Sequence, residues 1–454
     1  MSVVTPVIDS SGAFPWRRSI AWLVFLAPFF FLSYGFSNHL AEQQAVTRSI
    51  YFEWERHIPF VAWTIIPYWS IDFLYGASFL ACRDKRSVDS HALRLLTAQV
   101  ISVACFIAYP LHFAFARPEV DGLFGRLFDA LMGFDRPYNQ APSLHIGLLV
   151  VIWARFIDGT SKRWHPLIHG WAALIAVSVL TTYQHHFIDV PTGMTAGLFC
   201  LWLWPDKAPS PLADFGRSST PRHRALAWRY ALGAAAVTTT GLLVGGLALW
   251  LLWPAVALVI VSLIYFSGNP AGFQKHARAH SMAVTVLLAP YRLAAWLNAR
   301  WWTRNHPQDD EIADGVWLGR LPDRRDLVRY GSNPIPALYD VCAELPAPNS
   351  SGKHVAHPWL DLVTPTKEQL REAVWAIETL RHDGPVRVCC ALGFSRSACA
   401  VAAWLLATKR ANSVDHAISL IQQSRPMIVI NTAYREALHA FATEHLALQE
   451  NSNA

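Results

Sequence analysis

Charge is what this chain has least of. Of its 454 residues, 15% are Asp, Glu, Lys or Arg and 53% are hydrophobic, against a charged share of about 25% in ordinary soluble proteins. The length excludes a single ordinary core, so two or more domains are expected. The shortage is uneven: most long apolar runs lie in residues 1–270, and residues 303–454 read as an ordinary soluble domain. Cysteine is sparse too. Cys82, Cys105, Cys200, Cys342, Cys389, Cys390 and Cys399 show no paired C-x-x-C spacing, which argues against a metal framework, and their odd number argues against a disulfide framework. The C-terminal four point to a reducing compartment for that part. No repeat at a period of roughly 20–50 residues is present, which removes solenoids and propellers. No inverted repeat supports a transporter. No aromatic-basic stripe or nucleic-acid motif accompanies the net charge of +6, so nucleic acid is not an expected partner.

What is abundant is apolar sequence with tryptophan at its borders. Twenty tryptophans suit a protein whose surface includes the headgroup layer of a bilayer. A spanning helix needs about 20 mostly apolar residues. Eight stretches are candidates: 19–36, 58–81, 95–115, 144–158, 167–183, 188–204, 230–251 and 254–268. The first is read as a retained anchor, since no A-x-A cleavage site follows it. With the N-terminus inside, the inner loops carry Arg17, Arg18, Arg83, Lys85, Arg86, Arg94, Arg155, Lys162, Arg163, Lys207, Arg217, Arg222, Arg224 and Arg229. The outer loops carry only Arg48, Arg56, Arg117, Arg126 and Arg136. This asymmetry places both termini in the cytoplasm of a multi-pass inner-membrane protein. The stretch Ala283–Trp302, with Arg292 and Arg300 along it, is read as an interfacial amphipathic helix.

Polar residues gather on the outer side of this arrangement in Arg117-Pro118, in Asp135 to His145 and in Gln184 to Pro191. Residues four apart share a helix face, so Asp189 can hold one ring nitrogen of His185 while the other attacks phosphorus. His145 can protonate a leaving alkoxide. Arg117, Arg136 and Ser143 are expected to bind phosphate oxygens. Pro142-Ser143-Leu144-His145 together with His185-x3-Asp189 resembles the type 2 phosphatidic acid phosphatase superfamily over residues 60–204. That resemblance implies His185 as nucleophile, Asp189 as its orienter and His145 as acid. Position 110 is proline where the family has lysine, and Ser178-Val179 stands where it has Ser-Arg. The wording is closer to the inositol phosphorylceramide and sphingomyelin synthase branch, so hydrolysis and headgroup transfer both stay open. His186 is read as a neighbour of this group.

A second constellation lies near the C-terminus. Val386-Arg387-Val388 reads as a strand, Ser397–Lys409 as a helix, and Cys390 and Arg396 are separated by five residues between them. A strand–loop–helix of this length can wrap backbone N–H groups around a phosphate, and the helix N-terminus favours both that anion and a thiolate at Cys390. Arg396 can fork two phosphate oxygens, Gly393 in the loop and Ser397 are expected to bind the phosphate, and Ser397 can donate to the departing thiolate. Asp361, ahead of a helix opened by the capping box Thr366-Lys367-Glu368-Gln369, is the candidate proton donor. With Val316 to Pro322 and the late Arg425-Pro426, these residues resemble the dual-specificity branch of the protein tyrosine phosphatases over residues 312–447. The resemblance implies a parallel-sheet α/β fold. Cys389 stands where that family usually has histidine.

The expected organisation is an anchor helix and outer loop (1–56), a membrane core of the phosphatidic acid phosphatase type (57–205), a basic loop, two-span hairpin and interfacial helix (206–303), and a cytoplasmic phosphatase-like domain (304–454). The expected function is a bifunctional membrane phosphatase with a histidine site facing outward and a cysteine site facing inward. The alternative is a lipid headgroup transferase with a regulatory or phospho-binding C-terminal domain. Expected partners are the lipid bilayer, phospholipid or other phosphoester substrates, and a phosphoprotein as an open choice. No cofactor or metal is required by either mechanism.

Overall fold

The computed structural model describes residues 14–213, 215–216, 219–329, 337–349 and 352–453. Residues 1–13 of the expected anchor region and the loop cation Arg217 lie outside the described residues. The chain divides into two compact units, Met1–Ser210 and Pro211–Ala454. The segment read above as 206–303 is divided at residue 210, and all of it from Pro211 onward falls in the same unit as the C-terminal domain.

The first unit is helical: α1 (Trp16–Gln43), α2 (Ile65–Ser78), α3 (Lys85–Ala108), α4 (Gly122–Met132), α5 (Leu144–Gly159), α6 (His165–Thr181) and α7 (Asp189–Leu203). Sequence sets several of the starts. Asp84 caps α3 by accepting from the Ser87 N–H at 2.7 Å, and Ser143 caps α5 by accepting from the Ile146 N–H at 3.3 Å. Among the described residues of both units, four helical stretches are long and apolar enough to cross a membrane: Trp16–Gln43, Lys85–Ala108, Lys162–Thr181 and Gly246–Ser267. They are compatible with membrane association. Two of the other expected spans, 144–158 and 188–204, fold into short helices: at 16 and 15 residues, α5 and α7 measure about 22–24 Å at 1.5 Å per residue, short of the roughly 30 Å of a hydrocarbon core.

Two arginines counted above as loop cations have a different place. Arg94 of α3 and Arg155 of α5 are buried, and both reach Asp206 just beyond α7. Arg155 Nη2 lies 2.7 and 2.8 Å from the two carboxylate oxygens, and Arg94 Nη2 lies at 3.2 Å. Neutralising Asp206 would strand two buried guanidiniums. Asp206→Asn is therefore expected to destabilise the first unit by about 3–5 kcal/mol, read as a lowered melting temperature of the detergent-solubilised protein. An unchanged melting point would show that the cluster is not holding these helices.

The second unit begins with a hairpin of α8 (Pro221–Val244) and α9 (Leu252–Ser267). A short ribbon follows, β1 (Lys275–His276) paired with β2 (Ala279–His280). The expected single helix over 283–302 is instead two, α10 (Met282–Leu287) and α11 (Ala289–Trp302). Pro290 sits in the first turn of α11, where its missing N–H costs nothing. Trp296, Trp301 and Trp302 stand exposed on α11.

The sheet is built from β3 (Asp310–Ala313), β4 (Val316–Arg320), β5 (Ala337–Cys342), β6 (His354–Trp359) and β7 (Val386–Cys390), in the order β3-β4-β7-β5-β6. The α/β fold is as expected, but the sheet is not wholly parallel: β3 runs antiparallel to β4 at the edge. Helices α12 (Arg324–Arg329), α13 (Lys367–His382), α14 (Arg396–Ala407), α15 (Val414–Ser424) and α16 (Thr432–Asn453) complete the unit. Thr366 and Gln369 form the capping box of α13. Leu370 and Ile377 of α13 and Trp404 of α14 join Val316, Tyr339 and Val388 of the strands in one buried core.

The ribbon is bolted to this domain. Lys275 Nζ, with no exposed surface, donates to Asp340 Oδ2 and to the Cys342 carbonyl, each at 2.6 Å. Arg278 donates to the carbonyls of Pro348 (2.7 Å) and Gly352 (2.6 Å), and His280 donates to that of Ala343 at 2.9 Å.

Candidate functional site

Strand β7 delivers Cys390 to the carboxyl edge of the sheet, and α14 begins six residues later at Arg396. Ligands of α/β sheets gather at that edge. Between them the chain turns at Gly393, whose φ is +76°. A Cβ there would lie 2.4–2.5 Å from the Gly319 carbonyl group, so conformation and space both demand glycine. The Gly393 N–H and the Ser397 hydroxyl each donate to Cys390 Sγ at 3.2 Å. Arg425, fully buried, braces the loop from behind: its Nε donates to the Gly393 carbonyl at 3.1 Å and its Nη1 to Asp310 at 2.6 Å.

Arg396 lies between two carboxylates. Its Nη1 and Nη2 fork Glu344 at 2.9 and 2.6 Å, and its Nε is 3.1 Å from Asp361 Oδ1. The Trp359 carbonyl accepts a further bond from Nη1 at 2.9 Å. These two acids are driven apart. Burial by itself would raise the Glu344 carboxyl, but the forked guanidinium more than offsets it and holds Glu344 below its ordinary range. At Asp361 burial wins: despite Arg396, and with Glu344 adding repulsion, its carboxyl is raised. One acid is kept ionised as the partner of Arg396 and the other is disposed to carry a proton.

Sequence reasoning had brought Cys390, Gly393, Arg396, Ser397 and Asp361 together, and the structure places them side by side. It had missed Glu344. The available signal was position alone, two residues past the carboxyl end of β5.

In the first unit, His185 Nε2 lies 3.0 Å from Ser143 Oγ and its Nδ1 lies 3.2 Å from Asp189 Oδ2. The Ser143 N–H donates to the Asp189 carbonyl at 3.2 Å. The close approach of α5 and α7 permits this: a Cβ on Gly193 would meet the Ser143 carbonyl oxygen at 2.5 Å. His145 stacks on Tyr68 with ring centroids 4.2 Å apart. It shares with His185 the lining of a cavity of about 110 Å³, where Asp72 and Asp135 also stand. The expected phosphate-binding arginines do not line this cavity. Arg136 pairs with Glu42, and Arg117 lies over the Phe128 ring at 4.7 Å. His186 has both ring nitrogens engaged. Its Nε2 accepts from the Ala114 N–H at 3.0 Å and its Nδ1 faces Glu55 at 3.0 Å. No group able to hold a metal ion is found among the described residues.

Residues 317–444 match the family described as "Dual specificity phosphatase, catalytic domain"; the match leaves residues 1–316 uncovered. Among solved structures, this chain is similar to PTPMT1 in complex with PI(5)P, at 25% identity over 31% of this chain and 97% of that one, with a TM-score of 0.28. It is similar to Tk-PTP in its active form, at 25% identity over 30% and 98% of the two chains and a TM-score of 0.28. It is similar to human DUSP28 at 22% identity over 31% and 99%, with a TM-score of 0.27. No curated protein matches the chain.

Proposed function

Taking residues 317–444 as a dual-specificity-type phosphatase domain and the chain as a phosphoric monoester hydrolase, we propose that it is a multi-pass membrane enzyme whose cysteine site releases phosphate from a lipid phosphomonoester at the inner face of the membrane. The observation that carries this is the joining of the catalytic loop to an apolar hairpin within one compact unit: Tyr265, near the end of α9, donates its hydroxyl to the Asp361 carbonyl at 3.0 Å. A helix long and apolar enough to span a bilayer thus ends beside the proposed proton donor. Leu362 and Val429 flank the loop and are 53% and 57% exposed, apolar surface suited to a lipid neighbour.

In this reading the Cys390 thiolate attacks phosphorus as the phosphorus–oxygen ester bond breaks, and the departing electron pair leaves on the lipid oxygen. Asp361 gives that oxygen its proton and releases the lipid alcohol. Arg396, the Gly393 N–H and the other loop amides hold the phosphoryl oxygens. Water then attacks the phosphocysteine, Asp361 accepts its proton, and inorganic phosphate departs while Ser397 stabilises the leaving thiolate. Glu344 fixes the plane of Arg396 throughout.

The test is phosphate release by the full chain from vesicles containing phosphatidate or a phosphoinositide, compared with a phosphotyrosyl peptide. Preference for the vesicle-borne phosphates supports the reading. Preference for the peptide replaces it with a protein phosphatase.

A second reading rests on the Ser143–His185–Asp189 chain. We propose a histidine site facing outward that hydrolyses or transfers a lipid phospho-headgroup. Asp189 accepts from Nδ1–H of His185, which leaves the Nε2 lone pair as nucleophile, and His145 supplies the proton. In a Cys390→Ser background, headgroup turnover should depend on His185; turnover undiminished by His185→Ala removes this site.

A further inference from the structure

The loop that carries Asp361 is tied down at three successive backbone carbonyls, each by a different helix. The Asp361 carbonyl accepts from Tyr265 of α9 at 3.0 Å. The Leu362 carbonyl accepts from Arg222 of α8 at 3.2 Å. The Val363 carbonyl accepts from Tyr434 of α16 at 3.0 Å. Between these ties Leu362 has φ of +58°, a conformation that side chains other than glycine seldom adopt without outside support. Only one of the three donors belongs to the phosphatase fold proper; the other two come from the hairpin. Tyr265 is itself held, 1% exposed. Its ring centroid lies 5.4 Å from that of Tyr230 on α8, which in turn lies 6.0 Å from that of Tyr291 on α11. The hydroxyl is therefore set by three helices outside the sheet domain.

We propose that the α8–α9 hairpin is a positioning scaffold for the proton donor: Tyr265, assisted by Arg222, holds the Asp361 loop so that its carboxyl faces the leaving oxygen. This rests on Asp361 as that donor. The Tyr265 hydroxyl bonds the backbone carbonyl of Asp361, not its carboxyl. Its contribution passes through the loop backbone and falls on steps that need a proton. Turnover of an alkyl phosphate, whose alkoxide leaves poorly, needs the proton strongly. Turnover of para-nitrophenyl phosphate, whose phenolate leaves easily, needs it little. The hairpin then has a catalytic duty beyond anchoring, and a phosphatase domain cut free of it would lack two of the three ties.

Tyr265→Phe keeps the buried ring and removes only the hydroxyl. With the full chain in detergent micelles, its rate on dioleoyl phosphatidate should fall about three- to tenfold, the effect of one lost hydrogen bond on an aligned group. The fall on para-nitrophenyl phosphate should be clearly smaller. The exposed Arg222→Gln should shift the ratio of the two rates in the same direction. The deciding measurement is a double-mutant cycle with Asp361→Asn: in that background Tyr265→Phe should cost nothing further on phosphatidate. Equal losses on both substrates, or full additivity with Asp361→Asn, would overturn the positioning role while leaving Asp361 as the donor. If Asp361→Asn itself leaves phosphatidate turnover unchanged, the donor assignment fails and the scaffold falls with it.

Discussion

Cys390→Ser is expected to abolish phosphate release by the C-terminal domain, with a loss of roughly 10⁴-fold or more in turnover. The substitution exchanges one atom. Cys390 is 3% exposed and receives bonds from the Gly393 N–H and the Ser397 hydroxyl, and both donors can serve an oxygen. The folded state should therefore persist, with stability within about 1 kcal/mol of the parent. What is lost is the nucleophile: a hydroxyl at that place keeps its proton at neutral pH. Phosphate release from para-nitrophenyl phosphate, with a melting curve as control for folding, reads the result. Substantial release by a folded Cys390→Ser protein would exclude the thiolate mechanism.

The second large effect concerns Asp361. A positioned acid contributes about 10²–10⁴-fold, so Asp361→Asn should lose that much on lipid phosphates. The pH dependence carries the sharper signature. Burial raises the Asp361 carboxyl, with Arg396 opposing and Glu344 reinforcing the rise. The donor form is the protonated one. Activity should therefore fall as pH climbs through the Asp361 titration, and the upward displacement carries the active range towards higher pH than a free aspartate would allow. Asp361→Asn cannot titrate, so that limb should flatten while the overall rate drops. A limb that survives in the variant belongs to another group. Glu344, held ionised by Arg396, is not a proton source in this range.

How far the sequence alone reached depended on whether a feature was local. The cysteine loop was legible because one short stretch spells strand, turn and helix, and because glycine at 393 answers a need of the backbone itself. The His185–Asp189 pair was legible from its spacing, but not as one helix face: α7 begins at Asp189 and His185 lies ahead of it. Glu344 was not, since its meeting with Arg396 is made by the order of strands in the sheet, which no local spacing encodes. The arginines went astray in two ways. Arg94 and Arg155 read as loop charges because hydropathy cannot tell a buried ion pair from a solvated one; only the position of Asp206 in space settles it. Arg117 and Arg136 were assigned to phosphate because they fall on the same side of the expected topology as the histidines, but an aromatic ring and Glu42 occupy them instead.

The β1–β2 ribbon has a mechanical consequence. A soluble head joined to an anchor by a floppy tether samples a hemisphere and works at any distance its leash allows. Here Lys275, Arg278 and His280 are plugged into Asp340, Cys342, Ala343, Pro348 and Gly352 by buried ion pairing and carbonyl bonds, which oppose such a swing. In the reading proposed above, with α9 seated in a bilayer, the sulfur would stand at one altitude above the leaflet. Selection among lipids would then include a ruler: a phosphate carried at the wrong stature on its headgroup would pass beneath the blade or beyond it, however well its chemistry suits.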